Sequence, residues 1–179
     1  MKNEMFTPHF SLLEFTESPT ARKHGIANVP PAEAVDNLKR LCENTLEPLR
    51  EALQLPVVIT SGFRTKALND ILAHASERSQ HMAGQAADFY IGWGQRLKEL
   101  SARELLIKAF RLIIQNEAID YDQLILYPTF IHVSYVSKEK NRRTILLGMR
   151  NGKLGYGKCS VENALKIQCK HPMKDDLYN

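Results

Sequence analysis

Apolar residues recur at mainly three- and four-residue steps through Val35, Leu38, Leu41, Leu46, Leu49 and Leu53, the repeat that turns one helical face into a core. Pro30-Pro31 stand just before this run, where proline is tolerated, so the pattern predicts a helix over residues 32–53. A second such face, Leu105, Leu106, Ala109, Leu112 and Ile113, predicts a helix over 101–116 with Ser101 as its N-cap. Between and beyond these helices the pattern changes. Residues 56–60 are short, β-branched and bounded by Pro56 and Gly62, which predicts a buried strand. Residues 65–73 read as helix, 74–84 as loop and 86–91 as a second strand. Residues 124–127 and 130–136 flank Pro128-Thr129 as a tight hairpin, and 144–147 offer another strand. The N-terminal apolar residues Phe10, Leu12, Leu13 and Phe15, followed by a turn at Ser18-Pro19, predict a short segment that covers the core. Helices flanking a small, largely antiparallel sheet make an α+β fold.

The chain of 179 residues fits one domain spanning 1–179, with an apolar share of 44% that can supply a core without staples. The net charge of +4 favours anionic partners. Its densest basic stretch, Lys138-Glu139-Lys140-Asn141-Arg142-Arg143, contains a carboxylate between two strand-like runs and reads as a solvated turn, so nucleic acid is not an expected partner. Cys42, Cys159 and Cys169 form no CxxC pair, and their odd number leaves at least one thiol free, which fits a reducing site of synthesis. Cys159, Cys169 and His171 lack compact ligand spacing and read as ordinary residues. No stretch approaches the roughly 20 apolar residues of a membrane span. Asn3, Glu4, His9 and Glu14 interrupt the first apolar residues, so no signal peptide is visible.

The chemistry is concentrated in Ser79-Gln80-His81-Met82-Ala83-Gly84-Gln85-Ala86-Ala87-Asp88. Strand alternation puts Ala86, Asp88 and Tyr90 on one face, so an imidazole at the loop and a carboxylate in the strand can meet at one ion. His132 lies at the centre of another alternating strand, Phe130-Ile131-His132-Val133-Ser134. Two imidazoles and a carboxylate with a fourth position open are the donors of a catalytic zinc. A His-Asp hydrogen bond beside an unrelated strand histidine is the other reading of these three residues.

The order Ser79-Gln80-His81-x-x-Gly84-x-Ala86-x-Asp88, then Ile131-His132-Val133-Ser134, resembles the zinc D-Ala-D-Ala carboxypeptidase and phage endolysin peptidase family. Ser61-Gly62-Phe63-Arg64 resembles that family's upstream Ser-Gly-aromatic-Arg motif, and residues 10–28 resemble the lead-in of one branch. The likeness spans about residues 10–147 and leaves 148–179 unassigned. It implies a hedgehog/DD-peptidase-like fold and a zinc ion held by His81, Asp88 and His132. It also places Arg64 at the substrate carbonyl or carboxylate, a structural ion pair being the alternative for that arginine. Ser79 is expected to orient His81 or bind substrate, with a loop cap as the alternative, and Ser134 is expected to touch substrate. His9, His24, His74 and His171 match no ligand position, His74 alone lying near enough in sequence to substitute.

Two departures bear on activity. Many relatives carry an acid three positions before the last histidine, here Thr129, and others resemble Asp-Gln-Leu-Ile-x-Glu, here Asp122-Gln123-Leu124-Ile125-Leu126-Tyr127. Both familiar places for a general base therefore lack a carboxylate. A two-residue Pro128-Thr129 turn would pair Tyr127 with Phe130, Ile125 with His132 and Gln123 with Ser134, putting Gln123 and Tyr127 on the metal face as the groups that orient water or substrate, with Asp122 pointing away. The expected activity is a zinc peptidase acting on peptidoglycan stem peptides, as a D,D-carboxypeptidase or an endolysin-like endopeptidase. The alternative is a zinc-containing wall-binding or phage structural module that has lost hydrolysis.

Overall fold

The computed structural model describes residues 3–73, 75–92, 100–150 and 153–168. Two short helices open the chain, α1 (Leu12–Thr16) and α2 (Pro19–Lys23). The long helical run then divides into α3 (Ala32–Leu41), a π turn (Cys42–Leu46) and α4 (Glu47–Leu53). The helix expected over 32–53 is therefore present with those bounds, with a π turn inside it for which Pro48 gives the reason. Proline has no amide hydrogen to donate four residues back, which leaves the Asn44 carbonyl without its helical donor. The neighbouring Glu47 amide reaches instead to Cys42, the five-residue step of a π turn. The released Asn44 carbonyl accepts the Asp120 amide at 3.0 Å, and Thr45 Oγ1 donates to the Asp120 carbonyl at 2.5 Å. The π turn thereby docks the chain just before the central hairpin.

Six strands form one sheet in the order β1-β2-β4-β3-β5-β6. They are β1 (Val57–Ser61), β2 (Ala86–Ile91), β3 (Gln123–Leu126), β4 (Ile131–Ser134), β5 (Thr144–Arg150) and β6 (Lys153–Lys158). All neighbours are antiparallel except β3 and β5. The α+β class read from the sequence is the fold observed. The hairpin register is also the one expected: Ile125 faces His132, Gln123 faces Ser134, and the Tyr127 amide donates to the Phe130 carbonyl at 3.0 Å. The unassigned stretch after residue 147 supplies the end of β5, all of β6 and α7 (Val161–Lys166).

Alternation divides the sheet into two functional faces. Phe89, Ile91, Leu124, Leu126, Ile131 and Val133 enter the apolar core with Phe10, Phe15, Leu38 and Leu46. The helix α6 (Ala102–Gln115), capped by Ser101 through a reciprocal bond with Glu104, closes that core against β2, β3 and α4. Asp88 and His132 therefore project from the opposite face. Within the expected loop 74–84 the chain makes one 3₁₀ turn, Gln80–Ala83, ended by Gly84 at φ 70°. A Cβ at Gly84 would lie 2.3 Å from the Ala34 carbonyl oxygen, so both the left-handed backbone and the packing on α3 require glycine there. The shorter helix α5 (Lys66–Ile71) occupies part of 65–73. His74, Cys169 and His171 lie outside the described residues.

Candidate metal centre

The strand pairing is what brings two of the three ligands together. Asp88 in β2 is the direct cross-strand partner of His132 in β4, and Asp88 Oδ1 stands 2.8 Å from His132 Nδ1. His81 arrives from the 3₁₀ turn, its Nε2 3.3 Å from both Asp88 Oδ1 and His132 Nδ1. Two donors each about 2.0–2.1 Å from a tetrahedral ion stand about 3.3 Å apart. The two His81 separations have that value, and the three ligand atoms all lie within 4.8 Å of one another. The other nitrogen of His81 points outward to the Gly62 carbonyl at 2.7 Å. A proton on Nδ1 makes this bond and leaves the Nε2 lone pair facing the centre, the outer-shell arrangement of a metal-bound histidine. Donor types, tautomer and the two His81 separations suit zinc, while Asp88 and His132 stand at hydrogen-bond distance, closer than two ligands of one tetrahedral ion.

Electrostatics point the same way. Burial holds His81 below its ordinary pKa against the pull of Asp88, so the ring is a neutral donor. Burial also works to raise the Asp88 pKa, but the imidazoles of His81 and His132 outweigh it and leave the carboxyl well below its usual range. Asp88 is therefore ionised.

A β-bulge arranges the fourth residue of the motif. Ile59 faces Phe89 but Ser61 faces Asp88, so Thr60 is the extra residue, and its hydroxyl donates to the Asp88 carbonyl at 3.0 Å. The chain then bends so closely over α1 that a Cβ at Gly62 would lie 2.6 Å from Phe15. Beyond the bend Arg64 donates from Nε to Ser61 Oγ at 2.9 Å and from Nη2 to Asp88 Oδ2 at 2.7 Å. Among the described residues its Nη1 has no hydrogen-bond partner, and Arg64 lines the adjoining cavity. Arg64 thus makes the ion pair weighed for it and also stands in the cavity wall.

That cavity holds about 720 Å³, with Gln123, Tyr127 and Ser79 in its wall beside Arg64, His81, Asp88 and His132. Tyr127 stacks on Phe130, ring centres 4.3 Å apart, and its hydroxyl donates to that of Tyr156 at 3.1 Å. Burial, then Tyr156, raises the Tyr127 pKa, so it remains a phenol. Ser79 opens the 3₁₀ turn without a side-chain capping bond, which removes the cap reading. Ser134 is corrected: it is wholly buried, its hydroxyl accepts from the Gln123 amide at 3.1 Å and faces Asp122, so it has no path to substrate. Thr129 is exposed in the turn and outside the cavity wall. Asp122 reaches that wall despite the expectation that it points away, because it precedes the first residue of β3 and strand alternation does not govern it. Tyr156, Gln80 and Arg142 also line the cavity. None was singled out from sequence, although the place of Gln80 beside His81 was a usable signal.

The chain matches the family described as Peptidase M15 over residues 8–111, and it belongs to that family. The matched stretch contains Arg64, His81 and Asp88 and ends before His132, which the sheet supplies. M15 peptidases are typically zinc-dependent, in keeping with the donors assembled here. No curated protein matches the chain. Among the described residues, no helix is long and apolar enough to cross a membrane.

Proposed function

We propose that the protein is a zinc-dependent peptidase that cleaves peptidoglycan stem peptides, as a D,D-carboxypeptidase or an endolysin-like endopeptidase. The observation that carries this reading is the meeting of His81, Asp88 and His132 at one side of a peptide-sized cavity, with Arg64 beside them. Zinc at this place supplies Lewis-acid polarisation of a carbonyl and acidification of water. His81 and His132 give nitrogen donors, and ionised Asp88 gives the oxygen. Arg64, fixed by Ser61 and Asp88, lines the cavity, where its charge opposes negative charge developing on the substrate carbonyl or borne by a substrate carboxylate. The Tyr127 phenol and the Gln123 amide orient substrate or the attacking water.

A second reading rests on a specific observation. Among the described residues the only carboxylates in the cavity wall are Asp88 and Asp122. The first belongs to the ligand set and the second is held by Arg142 and Gln80. A site without a free general base suits a wall-binding or phage structural module that keeps zinc but hydrolyses weakly or not at all. Incubating the zinc-loaded protein with purified peptidoglycan fragments and reading the products by mass spectrometry tests both. Release of terminal D-Ala identifies a carboxypeptidase and cleavage within the stem or cross-bridge an endopeptidase. Intact fragments that co-purify with the protein identify the binding module.

A further inference from the structure

Asp122 is 1% exposed, and its carboxylate is surrounded by donors from three separate segments. Oδ2 accepts from Gln80 Nε2 at 2.8 Å, from Ser134 Oγ at 3.4 Å and from Arg142 Nη2. Oδ1 accepts from the Arg142 amide and from Arg142 Nε, both at 2.8 Å. Arg142 Nη2 also donates to Gln80 Oε1 at 3.2 Å, closing a triangle of side chains. The Asp122 backbone joins the same knot, its amide donating to the Ser134 carbonyl at 2.6 Å and its carbonyl accepting from the Thr144 amide at 2.9 Å.

Two of these three segments carry metal ligands. Gln80 immediately precedes His81 in the 3₁₀ turn, and Ser134 lies two residues after His132 in β4. His81 has no strand to fix it: its ring bonds the Gly62 carbonyl, its own carbonyl accepts the Arg64 amide at 3.2 Å, Asn37 Nδ2 holds the Ala83 carbonyl at the end of the turn at 2.9 Å, and the start of the turn is held by the side chain of Gln80. β4, in contrast, is paired on both sides, with β2 and with β3. A rigid strand bearing one ligand and a short turn bearing another need a brace of defined length between them. Burying a carboxylate is unfavourable unless it is paired and its lone pairs are satisfied, and here every contact goes to the turn, to β4 or to the loop entering β5.

We infer that Asp122, Gln80 and Arg142 form a positioning unit that holds the His81 turn at the distance from β4 at which His81 and His132 share one ion. This inference rests on the reading of His81, Asp88 and His132 as a zinc site. None of the three belongs to the ligand set, and Gln80 adjoins His81, so their part at the ion is exerted through His81 and they are positioning residues.

The test measures zinc affinity by chelator competition, with no substrate present, on the full chain, Gln80→Ala, Arg142→Gln and the control Arg143→Gln. Arg143 adjoins Arg142 in sequence but pairs with Asp120 at 3.6 Å, outside the brace. Loss of an outer-shell partner typically weakens metal binding 10–100-fold, and we expect a loss of about that size for Gln80→Ala and for Arg142→Gln, with the control unchanged. Because both variants act through one carboxylate, the double variant is expected to lose little more than either alone. The cobalt-substituted variants are expected to show an altered visible spectrum, which a general loss of stability would not cause. Wild-type zinc affinity in both variants overturns the positioning role and leaves the zinc site standing, whatever happens to thermal stability. Failure of the wild type to bind zinc overturns the site reading and this inference with it. Should Arg142→Gln not fold, Gln80→Ala decides alone, since it leaves the ion pair of Asp122 and Arg142 in place.

Discussion

The carbonyl oxygen of Gly62 lies 2.7 Å from Nδ1 of His81 and sets which nitrogen of that ring is free for a metal. The same glycine touches Phe15 so closely that no side chain fits, and the Phe63 amide donates to the Phe15 carbonyl at 2.7 Å. The N-terminal segment is thus tied to the metal centre through one peptide unit. Gly62→Ala is expected to cost about 1–3 kcal/mol of stability, as overpacking does, and to weaken zinc binding as the carbonyl shifts. Thermal melts with and without zinc separate the two effects, and a variant with wild-type zinc affinity would remove Gly62 from the site.

Zinc is expected to bind once per chain and to stabilise the fold by about 2.7 kcal/mol at a free concentration 100 times its Kd. Asp88→Asn and His132→Ala should abolish that gain. Metal content by elemental analysis, read beside the melting temperature, checks both. A wild-type melting curve indifferent to zinc and to chelator counts against the site.

Arg64→Lys keeps the positive charge but loses the planar fork that spans Ser61 and Asp88. Turnover is expected to fall by about 10²–10³-fold, the usual range for removing one oxyanion donor, with zinc content still close to one per chain. Equal cleavage by the variant would leave Arg64 a structural ion pair and nothing more.

The missing base can be supplied where the cavity is open to it. Tyr127 lines the cavity and Thr129 does not, so a carboxylate introduced at 127 faces the site whereas one at 129 faces solvent. Tyr127→Glu is therefore expected to raise cleavage of wall peptides, up to the about 10²–10⁴-fold that positioned proton transfer contributes, and Thr129→Glu to leave it unchanged. Peptide release followed by mass spectrometry decides between them. A gain at 129 with none at 127 would reverse the assignment of the two positions.

The metal-free protein is expected to lose stability as pH falls below about 6.5. Burial lowers the His81 pKa from its ordinary value of 6.5, so between that value and the folded one the unfolded chain binds a proton that the native state does not. Stability is then greatest above 6.5, declines through this interval and levels off once the native ring is also protonated. Asp88, whose folded pKa is depressed, adds a loss in the same direction at more acid pH. Urea denaturation across this range measures the slope, and His81→Gln should flatten its upper part.

How much of this was legible in the chain depended on whether neighbours along the sequence carried the information. The hairpin register followed from two turn residues and strict alternation, so Ile125 opposite His132 was readable, and with it the face occupied by Gln123 and Tyr127. The division of the first long helix was not, because its cause is a missing donor at Pro48 whose orphaned carbonyl finds a partner in Asp120, 76 residues from Asn44. Ser134 carried the right residue type on the right face, yet its hydroxyl is taken up by the Asp122 cluster, a contact no spacing announces. Tyr156 comes from a strand that is beside the cavity only because β5 joins β3 in parallel, a crossover that local patterns do not reveal.

The extra residue at Thr60 makes the count of residues in β1 part of the metal centre. Thr60 and Ser61 together oppose Asp88. Within three residues of them come the Gly62 carbonyl that holds His81 and the Arg64 side chain that holds Asp88, so the length of this segment sets how two ligands of the centre are supported. One residue of chain length at the sheet edge therefore carries as much of the site's geometry as a ligand side chain does.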